Sequence, residues 1–394
     1  MVITNNSFPA VCSFLIESSE TVITSLKHPS DQYSMNWIEG VVPWGTVLAP
    51  NGISVLIKRE FTADKTLRET YLLTNTNAYP LFTCLGDIGI YTPFNDSYHE
   101  GEVCLKERCH AHIWCGGTSS YVMCLRIGGE APHLGFVLTR GSLGSYSVER
   151  TKRGKNNEIS SNDRGDFILH PVPLEFEPGE TNVLEWELFW HQGKDDFFSH
   201  IRRYPSYIEI EADHYVTFQG EKSGLRIIPR ESQKNLTLSF GKTGLVPGEK
   251  IFFIKGNNVN AWCRTIELAP LMETVAARCS FIVKKQQYSR SGSALDGAYL
   301  IYDNEEEHIF YTHKNDDNGG RERIGMGLLI ARFLDLCPEP NGGPLTESLK
   351  KYLMFVLREL FDTETGMVYN DIMNSTDYFR LYNFPWVAQF FLEL

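Results

Sequence analysis

The densest group of chemically active side chains lies in one polar loop, residues 313–323. Two carboxylates can act as acid and nucleophile, or as acid and base, in glycoside cleavage, and an imidazole can remove a proton in a lyase reaction. Arginine binds sugar carboxylates through two parallel hydrogen bonds. The catalytic residues that we predict here are His313, Asp316, Asp317 and Glu322. The substrate-binding residues that we predict here are Arg321 and Arg323. The alternative is a capped, ion-paired start of a helix.

A second group lies between two predicted helices. It combines carboxylates, an arginine and aromatic side chains, namely Asp371, Asp377, Tyr378, Arg380, Tyr382, Asn383 and Trp386. Aromatic rings can stack on sugar rings, but they also pack beneath helices. We predict substrate contacts for Tyr382, Asn383 and Trp386, with ordinary packing as the open alternative.

A third group lies in a β-type segment, residues 109–115. Alternate residues of a strand share a face, so His110 and His112 are expected on the same side. The segment has metal-ligand residue types, yet no second paired cluster completes a zinc spacing. We therefore predict no metal and no cofactor, and we predict His110, His112 and Trp114 as carbohydrate contacts.

Two further polar segments, residues 95–96 and 162–165, are interpreted as turns, because Asn, Asp and Gly favour turn conformations. The chain contains no nucleophile elbow, no Walker A loop and no dinucleotide fingerprint. The familiar motifs of serine hydrolases and nucleotide-binding proteins are thus missing from it.

Composition and charge narrow the class of protein. The chain has 394 residues, 42% hydrophobic and 22% charged, with a formal net charge of −12. No basic stripe is visible, which argues against nucleic-acid binding. No apolar run approaches the roughly 20 residues that span a bilayer, so no membrane partner is expected. The first residues do not resemble a signal peptide, which predicts a cytoplasmic protein, or an extracytoplasmic one if a leader was lost.

The hydrophobic pattern divides the chain into three predicted domains. Residues 1–205 show short β-type runs separated by turn residues, which favours a β-sandwich with one short helix near 195–203. Residues 206–287 continue in the β pattern, with a strand expected at 279–283, and form a second β layer or a small sandwich. Residues 288–394 change to a helical period.

Three helices are predicted in this last domain, at 323–336, at 345–361 and from 383 onwards. The apolar period of the third helix still continues at Leu394. Three helices cannot bury such apolar faces alone, so we expect either further polypeptide or a second chain to cover them.

Several segments together resemble a family. They are Gly89–Asp96, His110–Gly117, Thr139–Gly144, Asn162–Gly165 and Gly319–Gly327. The chain is similar to an uncharacterised bacterial carbohydrate-active family, in which a β-supersandwich precedes an (α/α)6 six-hairpin barrel. This resemblance implies a β-sandwich or supersandwich followed by the first helices of an incomplete (α/α) barrel. It also implies carbohydrate as the partner, and catalytic carboxylates in the helical domain.

The resulting functional hypothesis is a glycoside hydrolase or a polysaccharide lyase. This chain is expected to be the front part of that enzyme and is not necessarily active alone. Two other classes stay open. One is a non-catalytic β-sandwich that binds glycans, and the other is a subunit of a two-chain assembly.

Overall fold

The computed structural model describes residues 14–394, apart from 20, 151–161, 231–232, 243–247, 305, 312–323, 341, 376–380 and 382. The chain divides into two compact units. The first comprises residues 1–217 and 222–267, and the second comprises residues 218–221 and 268–394. The finer division of the first 287 residues into two domains stays a prediction.

The first unit consists mainly of antiparallel strands. They are β1 (Leu15–Ser19), β2 (Val22–Lys27), β3 (Val47–Leu48), β4 (Ile53–Phe61), β5 (Leu67–Asn75), β6 (Leu81–Phe82), β7 (Gly89–Tyr91), β8 (Cys109–Trp114), β9 (Tyr121–Arg126), β10 (His133–Arg140), β11 (Leu143–Glu149), β12 (Asp166–Pro171), β13 (Glu175–Phe176), β14 (Thr181–His191), β15 (Glu209–Ala212), β16 (Val216–Phe218), β17 (Leu225–Ile228), β18 (Thr237–Lys242), β19 (Glu249–Lys255) and β20 (Asn260–Leu268). Among the described residues of this unit, two helices accompany the strands, α1 (Gly101–Glu107) and α2 (Lys194–Ile201).

Two sheets of this unit enclose one hydrophobic core. The larger sheet has the strand order β4-β5-β14-β10-β9-β8, and the smaller one has the order β11-β12-β7-β3. Trp186 and Leu188 of β14 share this core with Leu169 of β12. Since antiparallel strands place every second side chain on one face, each strand contributes alternate residues to the core.

The other face of the larger sheet is covered by α2. Phe189 of β14 and Met123 of β9 pack there with Phe197 and Ile201 of the helix. A short helix at this position was predicted from the sequence, and the structure confirms it. Helix α2 thus packs on the strands β14, β10 and β9. The next strand after β9 is β8, which forms the edge of the sheet.

A third sheet, with the order β16-β20-β19-β18, also belongs to the first unit. Gly117, just after β8, bridges to both Leu143 and Ala261. Its φ of +71° lies in the left-handed region, and a Cβ there would lie 2.1 Å from the carbonyl oxygen of Asn260. Only glycine permits this conformation and this close approach, so Gly117 joins the third sheet to the smaller sheet.

A buried carboxylate lies on β5, the second strand of the larger sheet. Glu69 of β5 is fully buried, and its Oε2 accepts hydrogen bonds of 2.7 Å from the indole nitrogens of both Trp44 and Trp186. Its Oε1 pairs with Arg59. Arg59 and Trp186 are the direct cross-strand neighbours of Glu69 on either side. Because every partner comes from a different segment, this network fixes the register of β4, β5 and β14.

In its described residues, the second unit has four α-helices and one small hairpin. They are α3 (Leu271–Phe281), β21 (Ile301–Asp303), β22 (His308–Phe310), α4 (Ile324–Leu336), α5 (Pro344–Phe355) and α6 (Asn383–Leu392). Single π-helical turns extend α3 and α5, at Ile282–Gln286 and Val356–Leu360. Tyr352 is at the centre, stacked on Tyr299 at 4.3 Å and packed edge-on against Phe390.

The predicted fold class, a sandwich followed by the first helices of an (α/α) barrel, is wrong. The described part of the chain is mostly sheet and shows no (α/α) barrel. Helices α3, α5 and α6 contribute to one core around α4, together with residues from the hairpin and connecting loops. Amphipathic spacing identifies the buried face of a helix, but it does not specify a closed ring of helices.

One local prediction was also wrong. Residues 279–283 were expected as a strand, but Cys279 and Phe281 end α3 and Ile282 begins its π-helical extension. The aromatic and β-branched residues of this segment favour strands, whereas the preceding Ala276 and Ala277 favour a helix. Burial of Cys279 and Ile282 in the core of the second unit stabilises the helical conformation.

None of the described helices is long and apolar enough to cross a lipid bilayer.

We expect Glu69→Gln to destabilise the first unit by roughly 3–5 kcal/mol, because the buried Arg59 would lose its counter-charge. Urea unfolding followed by tryptophan fluorescence measures this loss. Glu60→Gln is the matched control, since Glu60 is an exposed β4 carboxylate whose ion pair with Arg68 contributes at most about 1 kcal/mol. Equal losses for the two variants would contradict a special role for Glu69.

Candidate functional site

The alternation of β8 sorts its side chains between two environments. Cys109 and Ile113 face the sandwich core, whereas His110 and His112 are exposed on the outer face. Trp114 follows them at the same spacing and is partly exposed. The structure thus confirms that His110 and His112 share a face, and it aligns Trp114 with them.

Aromatic rings follow the outer face of this edge in two contacting groups, Tyr98 with His110 and His112, and Trp114 with Tyr215. The alternation of β8 places both groups on the same face, and we call them together the aromatic ridge. Ring centroids are 6.1 Å apart between Tyr98 and His110, 6.5 Å between His110 and His112, and 6.3 Å between Trp114 and Tyr215. Tyr98 and Tyr215, at the two ends, are 40% and 42% exposed. A row of exposed rings at this spacing suits a ligand with successive ring units.

Two loops, residues 95–98 and 162–165, hold one end of the ridge. The Tyr98 amide donates to the carbonyl of Asn162 at 2.8 Å, and the Arg164 amide donates to the Ser97 hydroxyl at 3.1 Å. Asp163 then accepts from the Ser97 hydroxyl and from the Gly165 amide. These bonds place the Arg164 guanidinium 5.6 Å from the centre of the Tyr98 ring. The two loops were interpreted only as turns from the sequence.

The charge of Arg164 influences the neighbouring histidine. Partial burial lowers the pKa of His110 below its usual value, and the charges of His112 and Arg164 lower it further. At neutral pH His110 is therefore mainly neutral and has a nitrogen free to accept a proton. The guanidinium of Arg164 can bind a carboxylate through two hydrogen bonds.

Asp96 lies beneath this end of the ridge and is only 5% exposed. Burial raises the pKa of its carboxyl to about 7; the charge of Arg164 opposes the shift and that of Asp163 adds to it. Its Oδ1 has no hydrogen-bond partner among the described residues. Asp96 therefore gains its negative charge near neutral pH, close to Arg164 and the base of the ridge.

The second unit buries two of the other described candidates, Asp371 and Asn383, among polar partners, whereas Trp386 is more exposed. Asn383, at the start of α6, donates to Oδ1 of Asn370 at 2.6 Å, and Tyr311 donates to Oδ1 of Asp371 at 2.9 Å. Burial and the nearby Asp371 raise the pKa of Tyr311, so its hydroxyl stays protonated and acts as a donor. Trp386 is 39% exposed.

The remaining predicted site residues lie outside the described residues. They are His313, Asp316, Asp317, Arg321, Glu322, Arg323 and Tyr382, and also Asp377, Tyr378 and Arg380. Their assignments stay predictions. Among the residues that the structure describes, no group of three or more His, Cys, Asp and Glu side chains is arranged to hold a metal ion.

Sequence reasoning did not single out Tyr98 and Tyr215, and it gave Arg164 no role beyond a turn. Tyr98 and Arg164 are 66 residues apart in the chain, and only the paired loops bring them together. The useful signal was present in the two polar segments around them, because a turn rich in Asn and Asp is also a frequent place for functional groups.

The comparisons with known proteins give one informative result. No protein-family model matches the chain, and no curated protein matches it. A solved structure described as a polysaccharide lyase is 29% identical to it, with a TM-score of 0.77. The match covers 96% of this chain and 64% of the solved chain, so this chain spans less than two thirds of that protein. The similarity supports the expectation of a carbohydrate-active protein.

We expect the stability advantage of Asp96→Asn over the wild-type protein to increase with pH. The folded protein keeps the Asp96 proton up to about pH 7, whereas the unfolded chain releases it near the ordinary aspartate pKa of 3.8. Wild-type stability is therefore lost as pH rises between these values, by on the order of 4 kcal/mol, and the asparagine variant avoids that loss.

Urea unfolding of both proteins between pH 4 and pH 8, roughly the interval that separates the two pKa values, measures this difference. The matched control is Asp64→Asn, which alters an exposed aspartate of the same unit. Parallel stability curves for Asp96→Asn and the wild type would show that the Asp96 proton is not retained on folding.

Proposed function

We propose that this protein is a polysaccharide lyase that binds an acidic polysaccharide along the aromatic ridge. The observation that carries the proposal is the similarity to a solved polysaccharide lyase, which extends over 96% of the chain. The ridge adds the chemistry that such a reaction needs: rings for sugar faces, a cation for a carboxylate and a neutral imidazole.

In this proposal Arg164 binds the carboxylate of one sugar residue. Its guanidinium is exposed, and the two loops hold it above Tyr98. A carboxylate paired with arginine accommodates more negative charge when the adjacent carbon loses its proton. Arg164 therefore both selects an acidic sugar and stabilises the charge that develops during the reaction.

His110 is the proposed base. Its lowered pKa keeps the ring neutral at the pH where it must accept a proton. The imidazole takes the proton from the carbon next to the carboxyl group, and that electron pair forms a carbon–carbon double bond. The bond from the neighbouring carbon to the glycosidic oxygen then breaks, and the departing oxygen takes a proton from solvent. The products are a shortened chain and an unsaturated sugar.

The direct test incubates the protein with acidic polysaccharides, namely alginate, polygalacturonate, hyaluronan, chondroitin sulfate and heparan sulfate. We expect ultraviolet absorbance from an unsaturated sugar with at least one of them. New reducing ends without that absorbance would indicate hydrolysis instead. No product from any of them, combined with retained binding, would indicate a non-catalytic glycan-binding protein. Either result would overturn the proposal.

We expect His110→Ala to lower kcat by at least about 100-fold, because a general base contributes that much or more. Arg164→Ala should raise KM and lower kcat, while Arg164→Lys should recover part of the binding but not the paired hydrogen bonds. Matched controls are His308→Ala and Arg332→Ala, which alter exposed residues of the second unit. Full activity of His110→Ala would remove it as the base.

A further inference from the structure

A separate cleft opens at the Trp114 end of the ridge, within the first unit. It has a volume of about 370 Å³, which is within the range of small-molecule sites. Five aromatic side chains line it, namely Trp114, Tyr121, Phe198, Tyr207 and Tyr215. Trp114 belongs to both the ridge and the cleft, so the two surfaces are continuous.

Contacts between the rings fix the shape of the cleft. Tyr121 of β9 lies directly across from Trp114 of β8, and its ring packs edge-on against Phe198 of α2 at 5.7 Å. Tyr207 packs against Tyr121 at 6.3 Å. Burial raises the pKa of the Tyr121 hydroxyl to about 12, and burial also raises the pKa of Tyr207. Both hydroxyls therefore remain protonated and can donate hydrogen bonds.

The charged groups around the cleft largely neutralise one another. Arg202 binds Glu209 through two hydrogen bonds, of 2.6 and 2.7 Å, and Glu211 pairs with Arg226. The remaining two, Lys194 and Asp195, are adjacent residues of opposite charge in the first turn of α2. No excess positive charge is left for an acidic sugar, in contrast to the end of the ridge near Arg164.

The cleft offers apolar ring faces and hydroxyl donors, and its charged groups are paired with one another. These features match an uncharged sugar, which has apolar ring faces and hydroxyl edges. Two residues along β8 advance about 7 Å, so Trp114 is separated from His112 by a distance comparable to a sugar ring. One saccharide chain can therefore run along the ridge and enter the cleft.

We propose that this cleft is a binding site for an uncharged sugar residue. The substrate class, which rests on the proposed lyase function, is then an acidic heteropolysaccharide in which uncharged sugars neighbour the acidic one. Arg164 recognises the acidic residue, and the cleft recognises the uncharged residue beyond Trp114. The cleft acts through substrate binding and takes no part in proton transfer.

The test is affinity gel electrophoresis of the whole chain through gels that contain galactomannan, xyloglucan or arabinoxylan, with a polygalacturonate gel as the acidic comparison. We expect at least one of these neutral polysaccharides to retard the wild-type protein. Tyr215→Ala and Trp114→Ala should weaken the retardation about 10-fold, since each removes one face of the cleft.

Tyr79→Ala is the matched control, as Tyr79 is an exposed tyrosine of the same unit that lines neither surface. Full retardation of Tyr215→Ala, or no retardation of the wild type by any of the three, would overturn the proposal. Retardation by polygalacturonate alone, lost in Tyr215→Ala, would also overturn it, because the cleft would then take an acidic sugar. If the protein binds a neutral polysaccharide but shows no lyase activity, the cleft proposal stands and the proposed lyase function is overturned.

Discussion

The carboxylate of Glu69 constrains the architecture of the first unit. A charge in a hydrophobic core is costly unless its partners are placed accurately, and here they come from β4, β14 and the segment before β3. A shift of β5 by one residue would turn Glu69 towards the opposite face and leave Arg59 and both indoles without their acceptor. The network therefore specifies register as well as contributing to stability.

Beyond β14, the larger sheet continues through β10 and β9 to its edge strand β8. The inner side chains of β8 complete the core, and its outer side chains form the aromatic ridge. The loops that carry Tyr98 and Arg164 are joined by hydrogen bonds close to the start of the same strand, since the Cys109 amide donates to the carbonyl of Asn95. A rigid sheet edge and a braced pair of loops thus position the candidate site, as preorganised binding requires.

The sequence predicted those features that depend on local period. It identified α2 as a short helix, and it identified the shared face of His110 and His112, which follows from the two-residue period of a strand. It did not identify the approach of Tyr98 to Arg164, because that contact depends on loop pairing across more than 60 residues. The helical arrangement after residue 268 was also beyond reach, since periodicity gives the buried face of Leu349 or Ile330 but not the neighbouring helix.

The division of labour within β8 has an evolutionary consequence. Mutations at Cys109, Ala111 or Ile113 alter packing and are constrained by the core, whereas mutations at His110 or His112 alter an exposed surface. Trp114 is an intermediate case, because its ring also packs against the hydrophobic cluster that includes Ile208 and Ile210. Ligand preference can therefore diverge among descendants of this fold at the codons for His110 and His112 without repacking the interior. The same separation makes the strand a suitable starting point for laboratory diversification.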